Sequence, residues 1–265
     1  MSKKFIISVP VIIVLVLLNV YCIPPTDEVV KHKPLTKKDT VNVVDTKVDI
    51  DANHLIGKFN YRNDSGFELV ESGLSTKTTY LRKEVYHKFK EMHTAAKKDG
   101  ISLQIVSGTR NFEEQKGIWE RKWELNFKAL NDSVKTAKKI LLFSSMPCTS
   151  RHHWGTDMDL NSLNNKYFES GQGLKEYKWL QEHGSKFGFC QVYDDKAVTK
   201  RKGYELEKWH WSYMPVSSMF LKQYKEKITY SKIKGFKGDH LASNEHIKMI
   251  DNFVFGINTK CSDSQ

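Results

Sequence analysis

The chain has 265 residues and a mass of 30.8 kDa, which exceeds the range of a mini-fold stapled by disulfides and suffices for one sizeable core with appendages. Apolar residues make up 39% of it, with 14 Phe, 11 Tyr and 6 Trp, so burial is available on a scale that excludes an intrinsically disordered chain. Against 31 Asp and Glu stand 42 Lys and Arg, a net charge of +11 that favours anionic partners such as nucleic acid, acidic lipid or a cell-wall polymer without choosing among them.

At the N-terminus Lys3 and Lys4 precede a run from Phe5 to Ile23 without a charged residue, interrupted by Pro10, Asn19 and Tyr21. Residues 1–23 read as an export signal or a membrane anchor, because the run falls between the length of a signal core and that of a spanning helix. Cys22 would be the lipidated cysteine of a lipoprotein, although Tyr21 before it is bulky where a small residue is expected. Pro24, Pro25 and Pro34 open a polar stretch rich in Lys, Asp, Thr and Val, and residues 24–52 are expected to be a tether.

Beyond the tether, Leu81, Val85, Phe89, Met92 and Ala96 recur at spacings of four and three, which predicts an amphipathic helix closed at Gly100. Ile101 to Val106 alternates apolar and polar residues as a half-buried strand does. A second helix begins after Asn111, which with Glu114 forms a capping box, and its inner face is expected to carry Phe112, Trp119, Trp123 and Phe127. Further helices are expected over Asp132–Phe143 and from Leu174 to Phe187, closed by Gly188, with a short aromatic strand over Trp209–Tyr213. Helices and strands interspersed in this way, with few long crossovers, point to the α+β class. Cys148, Cys190 and Cys261 form no CxxC pair and match no cysteine-based zinc module; in an exported protein two of them could join, and all three pairings stay open.

Two segments carry the chemistry. Ser150-Arg151-His152-His153-Trp154-Gly155-Thr156-Asp157-Met158-Asp159 gathers two histidines and two aspartates around a glycine, and Glu207-Lys208-Trp209-His210-Trp211 sets a glutamate three residues before a histidine. Imidazole and carboxylate together suit zinc, and a catalytic zinc site keeps three protein ligands with the fourth position open to water. Such a site can hydrolyse a peptide at neutral pH when a carboxylate outside the ligand set handles the proton. Glu207 could take that part if the chain turns before His210. Asp157 reads as structural or as a support for a ligand, and Trp209 and Trp211 as core or pocket wall.

The first segment resembles the metal motif of the VanY-like D-alanyl-D-alanine carboxypeptidases, zinc peptidases grouped with the D-Ala-D-Ala dipeptidases, the lysostaphin-type enzymes and the hedgehog fold. That motif runs Ser, any residue, His, two residues, Gly, three residues, Asp, and it falls on Ser150, His152, Gly155 and Asp159. The resemblance therefore selects His152 over His153 and Asp159 over Asp157. The second motif falls on Glu207, Trp209 and His210, and Ser107-Gly108-Thr109-Arg110 with Phe112-Glu113-Glu114-Gln115 is similar to a third.

The resemblance covers about Leu81 to Tyr213 and implies a small antiparallel sheet that carries a zinc site and is flanked by helices. It implies Zn2+ held by His152, Asp159 and His210, with Glu207 as the catalytic acid–base. Arg110 would grip the substrate's terminal carboxylate, and Ser150, Gln115 and Trp209 would line its pocket. Thr109 replaces the usual aromatic and Asp157 a small residue, which bears on substrate preference. The catalytic domain is expected over 53–225, with 226–265 a basic C-terminal extension packed on it. The implied partner is a peptidoglycan stem peptide; from the sequence itself no nucleic acid is expected, and residues 5–23 could attach the chain to a membrane. The protein would be exported, periplasmic or envelope-associated. The alternatives are a peptidoglycan endopeptidase and a metal-stabilised wall-binding module without turnover.

Overall fold

Side chains on a strand alternate between two faces, and the central sheet uses that alternation to separate an apolar core from a polar site. The computed structural model describes residues 48–261. In chain order these form α1 (Ala52–Leu55), β1 (Phe67–Leu69), β2 (Tyr80–Arg82), α2 (Lys83–Lys98), β3 (Ile105–Ser107), α3 (Phe112–Leu130) and α4 (Ser133–Ile140). Then follow β4 (Asp157–Leu160), α5 (Gly171–His183), β5 (Phe189–Cys190), α6 (Lys196–Thr199), β6 (His210–Tyr213) and α7 (Met214–Lys227). β1 and β2 make an antiparallel pair, and the other four strands make an antiparallel sheet of order β3-β4-β6-β5. The class is α+β.

On one face of the sheet, Met158 and Leu160 of β4 and Trp211 of β6 join a core built by α2 and α5. Leu81, Val85, Phe89, Met92 and Ala96 are all at 0% exposure there, as their spacing predicts. Gly100 sits just beyond the end of α2 with φ at +73°. On the other face Asp157 and Asp159 stand opposite Ser212 and His210. A second core lies beyond that face, where α3, α4 and α7 pack with the C-terminal segment.

That segment is continuous with the rest. Ile228, Ile233, Phe236, Leu241, Met249 and Val254 share one cluster with Trp119 and Trp123, and Trp119 Nε1 donates to the Lys237 carbonyl at 2.8 Å. A boundary at 225 would cut α7, so residues 226–261 belong to the same packed unit. A disulfide joins Cys190 of β5 to Cys261 and leaves Cys148 free, buried, with its thiol pushed up to about 11 by burial.

Several elements differ from expectation. Residues 1–47, with the signal or anchor and most of the tether, lie outside the described residues. Residues 48–52 are docked: Ile50 is buried, Gln223 of α7 bonds the Ile50 N–H and the Val48 carbonyl, and Asp51 caps α1. The alternation over 101–106 is visible in burial, but the ladder starts only at Ile105. Upstream, Asn161 takes the neighbouring strand's place by bonding the Gln104 N–H and the Ser102 carbonyl with its side chain. On α3, Phe112, Trp119 and Trp123 are buried, whereas Phe127 is 36% exposed and stacked on Trp123. α4 is shorter than expected, with Asp132 as its cap, and the last turn before Gly188 is a separate 3-10 turn, Gly184–Phe187.

One buried ion pair ties the loop before β4 to the sheet. Arg151 Nε donates to Asp157 Oδ2 at 2.8 Å and Arg151 Nη2 to Ser212 Oγ at 2.7 Å, with Arg151 at 1% and Asp157 at 0% exposure. Replacing Asp157 with Ala strands the guanidinium, and a loss of about 3–5 kcal/mol in urea unfolding is expected. The disulfide spans 71 residues. A Cys261→Ser variant is expected to lose roughly 2–4 kcal/mol of unfolding free energy, a difference that disappears when both proteins are measured under reducing conditions.

Candidate metal centre and substrate cavity

The loop that brings His152 to the sheet is a 3-10 turn, Arg151–Trp154, ended by Gly155 in the left-handed region at φ +71°. A Cβ at Gly155 would stand 2.3 Å from the Phe67 ring, so the position needs glycine both for conformation and for space. Immediately after it, β4 carries Asp159, which pairs in register with His210 on β6. The chain turns over Lys208 and Trp209, with the His210 N–H donating to the Glu207 carbonyl at 3.2 Å, and this turn brings Glu207 back beside His210.

His152, Asp159 and His210 converge, each offering a ligand atom within 4.8 Å of the others. His152 Nε2 and His210 Nδ1 lie 3.5 and 3.2 Å from Asp159 Oδ1. Two ligand atoms at a tetrahedral angle on a zinc about 2.1 Å away stand about 3.4 Å apart, so both imidazole–carboxylate separations suit that ion. Asp159 Oδ1 is buried and receives no hydrogen bond, as expected of an atom meant for a cation.

The second nitrogen of each imidazole is already committed. His152 Nδ1 donates to the Gly108 carbonyl at 2.8 Å, which leaves Nε2 as the acceptor facing Asp159. His210 Nε2 lies 2.9 Å from Asp157 Oδ2. Asp157 also accepts from Ser212 and Thr156, so its carboxylate is held on all sides and in turn orients His210. Asp157 does not line the cavity, and neither does Thr109, whose hydroxyl donates to the Tyr80 carbonyl. Asp157 supports His210 and Thr109 anchors the segment after β3.

Electrostatics follow from this packing. Burial alone would lower His210, but the hydrogen bond to Asp157 and the negative charge of Asp159 outweigh it and raise its pKa to about 9. Burial opposes ionisation of Asp159 as well, yet His152 and His210 hold it well below the usual carboxylate range. Asp157 is held low by Arg151 and His210 against the same penalty. His152 is pulled down by burial and by Arg110. Glu207, 3.6 Å from His210 Nδ1, is pushed up to about 8 mainly by burial.

A cavity of about 500 Å³ opens over the triad. Of the sequence-expected residues, Arg110, Gln115, His152, Asp159, Glu207, Trp209 and His210 line it. Arg110 Nε donates to Gln115 Oε1 and Nη1 to Ser107 Oγ, with Asp159 Oδ2 at 3.8 Å. The start of α3 does not depend on Arg110, because Asn111, Tyr61 and Arg62 bind Glu114. Gln115 is in turn tied to the Ser145 carbonyl. Ser150 does not line this cavity, and its hydroxyl is buried without a hydrogen-bond partner. His153 faces away from the triad and donates to the Arg110 carbonyl.

Sequence reasoning missed Lys122, Ser144, Tyr193 and Tyr204, which also line the cavity. For Lys122 a signal existed, since it stands seven residues after Gln115 on the same stripe of α3. The rings of Tyr193 and Tyr204 lie 4.8 Å apart in irregular segments on either side of α6, which left no comparable trace.

The chain is similar to known proteins. The family model described as VanY, D-alanyl-D-alanine carboxypeptidase, matches residues 78–216, just over half of the chain. "Putative carboxypeptidase YodJ" of Bacillus subtilis is 33% identical over 139 residues, 51% of this chain and 46% of that protein. A D-alanyl-D-alanine carboxypeptidase of Enterococcus faecalis is 30% identical over 129 residues, 48% of this chain and 46% of that protein. The chain thus spans about half the length of the curated relatives it matches. Among solved structures, VanYB in complex with D-alanine-D-alanine aligns with 64% of this chain and 93% of that one at 20% identity and a TM-score of 0.47. On the family model and its span, the chain belongs to the VanY family of D-alanyl-D-alanine carboxypeptidases.

Proposed function

We propose that the protein is a zinc-dependent carboxypeptidase that removes the terminal D-alanine from peptidoglycan stem peptides. The observation that carries this reading is the convergence of His152 Nε2, His210 Nδ1 and the donor-free Asp159 Oδ1 in the floor of a cavity that Arg110 also lines. Zinc held by these three residues would acidify a water and polarise the scissile carbonyl. Arg110, steadied by Ser107 and Gln115, would receive the substrate's terminal carboxylate, a task that suits a planar guanidinium.

Glu207 would take the proton of the attacking water and hand it to the leaving amine. Its raised pKa makes it a strong enough base for that exchange, and neutralising the charge of Asp159 beside it would bring it toward its ionised form at neutral pH. The buried position of Glu207 next to His210 argues for turnover over mere wall binding, because a binding module has no use for a desolvated carboxylate there. The charge-free run of residues 5–23 would place the enzyme outside the cytoplasm, where a basic protein is drawn to anionic wall polymer.

Zinc-loaded protein is expected to release D-alanine from a stem pentapeptide, with a chelator abolishing the release. Glu207→Gln should retain the metal and lose about 10²–10⁴ in kcat. Chelator-resistant release, or full activity in Glu207→Gln, would overturn the reading.

Zinc uptake should also depend on pH in a definite direction. Asp157 and Asp159 raise the His210 pKa to about 9 in the metal-free protein, so the imidazole must give up a proton before Nδ1 can bind zinc. Between about pH 6 and 8 the apparent zinc affinity is therefore expected to rise about tenfold per pH unit. Competition against a calibrated chelator at several pH values measures this, and a flat profile would contradict the protonation of His210.

A further inference from the structure

Lys122 is the one cavity-lining charge to which the proposed reaction gives no task. It lies on α3 two turns after Gln115, so their backbones stand about 10 Å apart along the axis, while the two side chains reach the neighbouring residues Ser144 and Ser145. Its ammonium donates to Ser144 Oγ at 2.5 Å, and among the described residues it forms no ion pair. This contrasts with Arg110, which faces Asp159 as well as two neutral partners. Burial lowers the Lys122 pKa from the usual lysine range, with Glu207 opposing and Arg110 adding to the drop. A part-desolvated cation with a single hydroxyl partner is an unmet charge on the wall of a peptide-sized cavity.

Placing the substrate converts this into chemistry. With its terminal carboxylate at Arg110 and its scissile bond over the triad, an extended peptide advances about 3.3 Å per residue. A reach of up to about 10 Å therefore takes the chain no more than about three residues upstream of its C-terminus. We propose that Lys122 is a specificity-determining residue that receives a second carboxylate of the substrate, carried two or three residues before the C-terminal one. The favoured substrate is thus a peptide with two carboxylates held by two cations, Arg110 at the end and Lys122 upstream. The inference rests on the peptidase reading for the direction in which the peptide lies.

The test uses peptide pairs identical except for a carboxylate or a carboxamide on the second or third residue before the C-terminal one. Affinities are measured by calorimetry on the full-length, zinc-loaded Glu207→Gln protein, so that no peptide is consumed. At low salt the acidic member of one pair should bind about fivefold tighter, the size of a part-exposed charge pair, and the preference should shrink as salt is added. Adding Lys122→Met should bring the ratio to about one, and Lys122→Arg should restore most of it. Equal affinities in the presence of Lys122, or a preference that survives Lys122→Met, would overturn the proposal. Parallel cleavage assays on the Glu207 protein keep the two readings apart. Discrimination without any cleavage would sink the peptidase reading and spare Lys122, whereas cleavage without discrimination would do the reverse.

Discussion

The site depends on one buried carboxylate. Asp157 is at 0% exposure, and a charge so placed must be matched by partners or it would take up a proton. Its partners come from separate parts of the chain: Arg151 from the turn before β4, Thr156 beside it, and Ser212 and His210 from β6. Satisfying Asp157 therefore joins the loop to the sheet and fixes β4 against β6. The same bonds aim His210 so that Nδ1, not Nε2, faces Asp159. Stability and metal geometry are two consequences of the same hydrogen bonds.

The period of a strand explains how a polar site can exist inside a well-packed protein. Met158, Leu160 and Trp211 satisfy the apolar core against α2 and α5, which leaves Asp157, Asp159, His210 and Ser212 free to serve the opposite face. Each imidazole is then restricted by a bond made away from the triad, His152 to the Gly108 carbonyl and His210 to Asp157. Rings held in this way lose little further freedom when a metal binds, which is how such supports raise affinity. The cavity above repeats the pattern, with Gln115 held by Ser145 and holding Arg110 in turn.

Legibility in the sequence followed the range of the interaction. The buried face of α2 and the capping box of α3 are set by residues three and four apart, and both are where the pattern puts them. The family resemblance likewise selects His152 and Asp159 over their neighbours, and the turn that returns Glu207 to His210 is local. Readings that depended on distant neighbours were less secure. Phe127 continues the apolar stripe of α3 but reaches the surface, because the C-terminal segment covers the helix only as far as Trp123. Residues 48–52 look like a tether until Gln223, more than 170 residues away, binds them.

From the sequence alone came the α+β class, the principal helices, the family resemblance and the identities of the converging residues, because helical periodicity, capping and motif spacing are written in neighbouring positions. Only the tertiary structure decided that Cys190 pairs with Cys261, that Asp157 supports His210, that residues 226–261 complete the core, and that Lys122 joins Arg110 in the cavity. These are matters of which distant side chains meet. Such meetings depend on strand register and packing across the whole chain, and no local pattern encodes them.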